Sequence, residues 1–150
     1  MMTRNTFLRA LAAVPAITAV RLMAAAPKIQ VFKTPTCGCC ANWVKHLQAN
    51  GFEVTVKEVQ DTGEYRRQYG VPEKLLSCHT GVVEGYALEG HVPAAEIHRL
   101  LQERPKAKGL AVPGMPMGSP GMEGSMSQAY SVILFDGDGK TSVYKSYPGK

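Results

Sequence analysis

Four cysteines are the residues of this 150-residue chain best suited to chemistry, and three of them stand together. Cys37, Cys39 and Cys40 form a C-x-C-C motif directly after the apolar run at residues 29–32. Thiols at the start of a helix favour the thiolate form, because the helix N-terminus is positive. Three thiolates this close repel one another unless a cation lies between them. The motif therefore predicts a metal site; the competing interpretation is a Cys37–Cys40 disulfide with Cys39 incidental.

The other candidate ligands lie further along the chain. Cys78 is the fourth cysteine, His79 follows it directly, and His91 precedes a proline-initiated helix. These two histidines are secondary candidates for a metal role. Met117 and Met122 are further secondary candidates, since thioethers are soft ligands for Cu(I). The alternative for the methionines is a lid over apolar surface, and we favour the lid.

The choice of metal follows from charge and spacing. Thiolates select Cu(I), zinc or iron–sulfur clusters. A bridging thiolate serves two Cu(I) ions, so four thiolates could hold as many as four coppers in a neutral unit, which avoids burying net charge. Zinc on the same cysteines leaves a doubly negative unit, and structural zinc motifs usually space their ligands as two separate pairs. The residues predict multinuclear Cu(I) ahead of zinc.

The elements that must position these ligands alternate along the chain. Residues 28–33 form a short strand, and Trp43, Val44 and Leu47 mark the buried face of a helix that ends near residue 49. A second strand, a short helix, a tight hairpin and a third helix follow, at residues 54–59, 62–69, 77–88 and 93–103. This βαβα-ββα order matches a thioredoxin-like α/β fold. In that fold the turn that contains Cys78 faces the first helix, so its sulfur should lie within about 4 to 7 Å of at least two other cysteine sulfurs.

The C-terminal part of the chain is expected to add a loop and a hairpin to this domain. Residues 105–127 are rich in Pro, Gly and Met, which predicts a long loop without regular structure. Residues 130–135 and 142–147 then form strands around the turn at residues 136–139. The fold class predicted is thus a single thioredoxin-like α/β domain with a Met/Pro/Gly-rich loop and an added C-terminal β-hairpin.

The N-terminal segment reads as an export signal. Residues 1–26 combine Arg4 and Arg9, an apolar stretch at 10–20 and three terminal alanines. That stretch is shorter than the roughly 20 residues of a membrane span, so no span is expected after processing; Arg21 and Pro27 leave the cleavage point open. The segment has no acidic residue and contributes much of the net charge of +5, so residues 27–150 are near balance. No nucleic-acid partner is expected, and the periplasm is the predicted location.

Several motifs together resemble a known family. They are Cys37-Gly38-Cys39-Cys40, Ser77-Cys78-His79-Thr80, Glu89-Gly90-His91-Val92-Pro93 and Gly118-Ser119-Pro120-Gly121-Met122-Glu123. In this order they resemble the CopG-like family of exported copper-resistance proteins. The resemblance implies a periplasmic thioredoxin-like domain that holds a multinuclear copper–thiolate cluster through the CxCC cysteines and the distant Cys78. It also implies a role in copper handling that extends to copper redox conversion.

Three functions share these ligands, so the sequence leaves them open. The leading hypothesis is a periplasmic copper-resistance protein whose partners are copper ions and other copper-handling proteins, with Cu(I)/Cu(II) conversion as its enzymatic form. A passive metal-storage protein is the second. The third is a thiol–disulfide oxidoreductase. The motif argues against it, because Cys39 occupies the position at which such enzymes usually have proline or histidine. Neither hydrolase nor transferase chemistry is predicted.

Overall fold

The computed structural model describes residues 24–150. Seven strands and three α-helices share this range, and a short 3-10 helix at Glu73–Leu75 precedes the third strand. The elements are β1 (Lys28–Lys33), α1 (Gly38–Ala49), β2 (Glu53–Glu58), α2 (Gly63–Tyr69), β3 (Thr80–Val83), β4 (Tyr86–Glu89), α3 (Ala94–Glu103), β5 (Gly109–Ala111), β6 (Tyr130–Phe135) and β7 (Thr141–Tyr147). The strands form one mixed sheet in the order β2-β1-β3-β4-β5-β6-β7.

The first half of the sheet agrees with the element order predicted from the sequence. β1 and β2 run parallel, with Val31 opposite Val56, and α1 connects them. β3 lies on the other side of β1 and runs antiparallel to it, with Phe32 opposite Thr80. This pairing brings the end of β1 beside the beginning of β3. The segment after β1 and the segment before β3 are therefore neighbours in space.

The expected long loop at residues 105–127 contains a strand, which corrects the sequence prediction. β5 pairs parallel with β4 and antiparallel with β6, so the C-terminal hairpin continues the central sheet. Gly109 permits this approach, because a Cβ at that position would lie 1.9 Å from the carbonyl oxygen of Ala87. β5 has only three residues, between a proline-containing turn and a Pro/Gly-rich segment. Such a run is too short to show the alternation of apolar and polar residues that indicates a strand.

Both faces of the sheet are covered, as alternate side chains along a strand require. Trp43 and Leu47 of α1 and Ile97 of α3 pack on one face in a large buried cluster. A smaller cluster that includes Leu75 and Phe135 covers the other face. The buried face of α1, which consists of Cys40, Trp43 and Leu47, fixes its first turn against the sheet.

The loop at residues 112–129 closes on itself. The backbone amide of Gly118 donates to the carbonyl of Met122 (2.8 Å), and the amide of Gln128 donates to the carbonyl of Met117 (2.8 Å).

The expected signal peptide at residues 1–26 lies almost wholly outside the described residues. Within residues 24–150 no helix combines the length and apolar character that crossing a membrane requires.

Candidate metal centre

The cysteines converge where β1 passes into α1. Cys37 is the N-cap residue of α1, and Cys39 and Cys40 lie in its first turn. Cys78 comes two residues before β3. It lies beside the other three cysteines because β1 and β3 are paired. The sulfur of Cys78 is 3.9 Å from that of Cys40 and within 4.8 Å of those of Cys37 and Cys39. The convergence of Cys78 with the C-x-C-C motif is confirmed.

Two of the four cysteines are oxidised. Cys37 and Cys40 form a disulfide, whereas Cys39 and Cys78 are free. A disulfide sulfur is not a thiolate ligand, so the four-thiolate site predicted from the sequence requires this bond to be reduced. The sulfur of Cys39 lies 3.7 Å from that of Cys37.

The two histidines treated as secondary candidates are part of the cluster. Both side chains are buried. His79 Nδ1 lies 3.1 Å from the sulfur of Cys40 and 3.2 Å from that of Cys78. His91 Nε2 lies 3.2 Å from the sulfur of Cys78 on another side. The Cys78 thiol is thus placed between two imidazoles and the disulfide.

The tautomer of His91 is set by its second nitrogen. Nδ1 lies 2.7 Å from the carbonyl oxygen of Pro120 and donates to it, which leaves the Nε2 lone pair directed at Cys78. A backbone carbonyl that holds the outer nitrogen is the usual arrangement of a metal-binding histidine. His79 differs, because its Nε2 is buried without a hydrogen-bond partner among the described residues. Its ring lies 4.3 Å from that of Trp43, centroid to centroid.

Burial keeps both imidazoles neutral and the thiol protonated. Desolvation, followed by the nearby His91, lowers the pKa of His79 to about 3. Desolvation also lowers the pKa of His91, against the opposing effects of its Pro120 hydrogen bond and Glu123. Burial and the neighbouring Cys39 raise the pKa of Cys78 to about 12. Neutral imidazoles have a lone pair to give, and a metal ion at Cys78 would replace a proton.

A buried ion pair, not anticipated from the sequence, anchors the segment that carries Cys78. Glu89 is completely buried, and its Oε1 accepts from Arg66 Nε (3.0 Å) and from the amide of Ser77 (2.7 Å). Its Oε2 accepts from the hydroxyl of Thr80 (2.7 Å). Glu89 therefore fixes the backbone on both sides of Cys78 and His79. In the sequence, the one sign of this role is that Glu89 directly follows the apolar run at residues 86–88.

The Met/Pro/Gly-rich loop covers the other side of the cluster. Gly121, at φ +90°, comes so close to α1 that a Cβ there would lie 2.9 Å from the amide nitrogen of Trp43 and 3.0 Å from the carbonyl oxygen of Cys39. The methionine that contacts a free cysteine is Met115, whose sulfur lies 3.8 Å from that of Cys39. The sequence had instead singled out Met117 and Met122, whose backbones close the loop.

The residues present fit a soft metal ion. Two overlapping groups have ligand atoms within 4.8 Å of one another: Cys37, Cys40, Cys78 and His79, and Cys39, Cys78 and His91. Two sulfurs that share one ion at about 2.3 Å each are about 3.8 to 4.0 Å apart at tetrahedral to trigonal angles. The Cys40–Cys78 separation of 3.9 Å falls in this range, and Cys40 becomes a ligand once its disulfide with Cys37 is reduced. Sulfur with neutral imidazole nitrogen is the donor set of copper and zinc sites.

Comparison with known proteins agrees with this geometry. A family model described as "Protein of unknown function, DUF411" matches residues 75–122, which include Cys78, both site histidines and most of the loop. Two solved structures of a copper resistance protein, CopG, are similar to the chain. Form 1 has 49% identity and a TM-score of 0.79 and covers 83% of this chain and 99% of its own. Form 2 has 48% identity and a TM-score of 0.78 and covers 82% and 99%. No curated protein matches the chain.

The fold and the site define an α/β domain with a Cys/His group able to bind metal. The chain belongs to the CopG family of copper resistance proteins, as the identity over more than four-fifths of its length establishes. The resemblance drawn from the four motifs is confirmed.

Proposed function

We propose that this protein binds copper for copper resistance and holds Cu(I) in a multinuclear cluster on the thiolates of Cys37, Cys39, Cys40 and Cys78. The observation that carries the proposal is the convergence of these four sulfurs with two buried, neutral imidazoles. Cu(I) suits this donor set because thiolates are soft ligands that select it, and imidazole also binds copper. Bridging thiolates allow several ions in the space of a few ångströms.

The domain that carries the cluster is, in this proposal, a thioredoxin-like one. A parallel β1-α1-β2 unit followed by an antiparallel β3-β4 pair and α3 supports that assignment. Residues 1–26 would direct export to the periplasm and be removed there. Intact-mass measurement of protein from the periplasmic fraction should find a chain without its first 24 to 26 residues or so, and a mass that retains Met1 would contradict export.

The experiment for the copper proposal is an anaerobic Cu(I) titration of the fully reduced protein, with copper counted by native mass spectrometry. We expect more than one equivalent to bind. Cys39→Ser should lower the stoichiometry, because this thiolate is one of the bridging ligands. Loading that did not change in Cys39→Ser would favour a plain CxxC motif. Exposure of the loaded protein to Cu(II) or oxygen then tests whether it converts copper between oxidation states.

The second candidate is a thiol–disulfide oxidoreductase, and the Cys37–Cys40 disulfide at the start of α1 favours it. Such an enzyme depends on a reactive thiolate and on access for a protein substrate. Here the sulfur of Cys39 contacts that of Met115, and Gly121 lies against the carbonyl oxygen of Cys39, whereas Cys37 is partly exposed. An insulin-reduction assay against a thioredoxin control separates the candidates. Little turnover is expected, and rapid turnover by the metal-free protein would count against the copper proposal.

A further inference from the structure

A smaller metal site lies inside the cysteine cluster and does not require the disulfide to be reduced. Cys39, Cys78 and His91 have ligand atoms within 4.8 Å of one another, and neither cysteine belongs to the Cys37–Cys40 disulfide. We propose that the disulfide form of the protein binds one Cu(I) ion at Cys39, Cys78 and His91, and that reduction of the disulfide enlarges this site to the multinuclear cluster. The inference rests on the proposed copper function.

The histidine of this smaller site is already oriented as a ligand. Its Nδ1 is occupied by the carbonyl of Pro120, and its Nε2 lone pair faces the sulfur of Cys78 at 3.2 Å. His91 Nε2 can only accept in this contact, so the group that can donate to it is the Cys78 thiol. A Cu(I) ion in place of the thiol proton would bind both atoms, with little movement of either side chain. The close fit of Gly121 beside His91 Nδ1, where a Cβ would be 3.2 Å away, holds the ring in place.

The surroundings of Cys39 complete a soft coordination environment. The sulfur of Met115 is 3.8 Å from that of Cys39, and the Met115 side chain is half-exposed, so it forms the outer wall of the site. Two thiolates, one imidazole and a thioether form a set that suits Cu(I) better than zinc, because zinc sites use thiolate, imidazole, carboxylate or water. Two thiolates with Cu(I) leave one negative charge. Cys39 lies in the first turn of α1, where the helix dipole stabilises that charge.

The second group becomes available only after a two-electron reduction. Opening the disulfide between Cys37 and Cys40 takes up two electrons and two protons and gives two thiols. A phosphine supplies the electrons and is itself converted to a phosphine oxide by water. Cys78 belongs to both groups, so the new thiolates of Cys37 and Cys40 extend the existing site through a shared ligand. The number of copper ions bound would thus report the oxidation state of the disulfide.

The test counts copper on the intact protein in two oxidation states. Disulfide-form protein, verified by a thiol assay that finds two free thiols, is given Cu(I) anaerobically with a weak competing chelator. A second sample is first reduced with a phosphine and desalted. Native mass spectrometry should find one copper in the disulfide form and several after reduction. A Cys37→Ser/Cys40→Ser double variant should bind one copper, with or without reductant.

Two histidine variants, one in the site and one outside it, form a matched pair. His91→Gln should weaken Cu(I) binding by the disulfide form at least about tenfold. His98→Gln should leave that binding unchanged, since His98 contacts Asn50 and Phe52 and belongs to neither metal-binding group. Circular dichroism and thermal melting verify that both variants are folded.

The possible results distinguish this inference from the proposed function. No copper in the disulfide form, together with several ions after reduction, would overturn this inference and leave the proposed function intact. No copper in either form would overturn both. Equal losses in His91→Gln and His98→Gln, or one zinc bound in preference to Cu(I) by the disulfide form, would also overturn the inference.

Discussion

Replacement of Gly121 by alanine tests whether the loop is built to close on the metal centre. Gly121 has a φ of +90°, which an L-residue adopts at a cost of about 1 to 2 kcal/mol. Its new Cβ would lie 2.9 Å from the Trp43 amide nitrogen and 3.0 Å from the Cys39 carbonyl oxygen. Both atoms belong to the backbone of α1 and cannot move independently. Overpacking of this kind adds about 1 to 3 kcal/mol, so the total loss should be about 2 to 5 kcal/mol.

Gly139 provides the matched control. It has a φ of +77°, and its Cβ would have no heavy atom within 4 Å. Gly139→Ala should therefore show the backbone cost of about 1 to 2 kcal/mol alone. Urea unfolding of both metal-free variants measures the difference. Because Gly121 also abuts His91, only Gly121→Ala should weaken Cu(I) binding, by about tenfold or more. Equal destabilisation and equal copper affinity in the two variants would refute the close-packing argument.

Three further predictions concern the anchor, the loop and pH. Glu89→Gln should destabilise the domain by about 3 kcal/mol, because it breaks a buried ion pair, and should weaken copper binding. Glu53→Gln, at an exposed ion pair with Lys28, should change neither the urea midpoint nor the copper affinity. Met115→Leu should lower Cu(I) affinity in a chelator competition, whereas Met117→Leu should not; equal effects would remove Met115 from the site. The buried His79 has its pKa lowered from 6.5 to about 3, so between these pH values the unfolded chain binds a proton that the native protein does not. Stability of the metal-free protein should fall by about 2 kcal/mol from pH 6.5 to pH 5, and urea unfolding should show less of this loss in His79→Gln.

Much of the fold could be predicted because its signals are local. Apolar spacing around Trp43 and Leu47 identified α1, and the Glu84-Gly85 turn identified the β3–β4 hairpin. β5 was missed since its three residues form a strand only through pairing with β4 and β6. The same pairing shows why the C-terminal hairpin could not be placed. The position of this hairpin depends on its pairing with β5, and the local sequence does not indicate β5 as a strand.

The site divides in the same way. The cysteines, His79 and His91 could be named as candidates from residue type and spacing, because a crowded C-x-C-C motif has few structural explanations. Glu89 was seen only as part of a motif, and its role depends on Arg66, which is distant in sequence. Met115 could not be preferred to Met117 or to Met122, since the turns of the loop decide which sulfur faces Cys39.

The oxidation state of the cysteines is the point at which metal binding and disulfide chemistry meet. An oxidoreductase needs a pair of thiols that exchange electrons with a substrate, and the remaining residues of the cluster would be superfluous to that task. His79 Nδ1 and the Cys78 sulfur lie 3.1 and 3.9 Å from the disulfide sulfur of Cys40, and His91 Nε2 lies 3.2 Å from the Cys78 sulfur. Both imidazoles are buried. Burial of polar side chains costs stability unless they are satisfied, and His79 Nε2 has no partner among residues 24–150. A soft ion in contact with these side chains would offset that cost, which favours a metal centre whose disulfide governs its capacity.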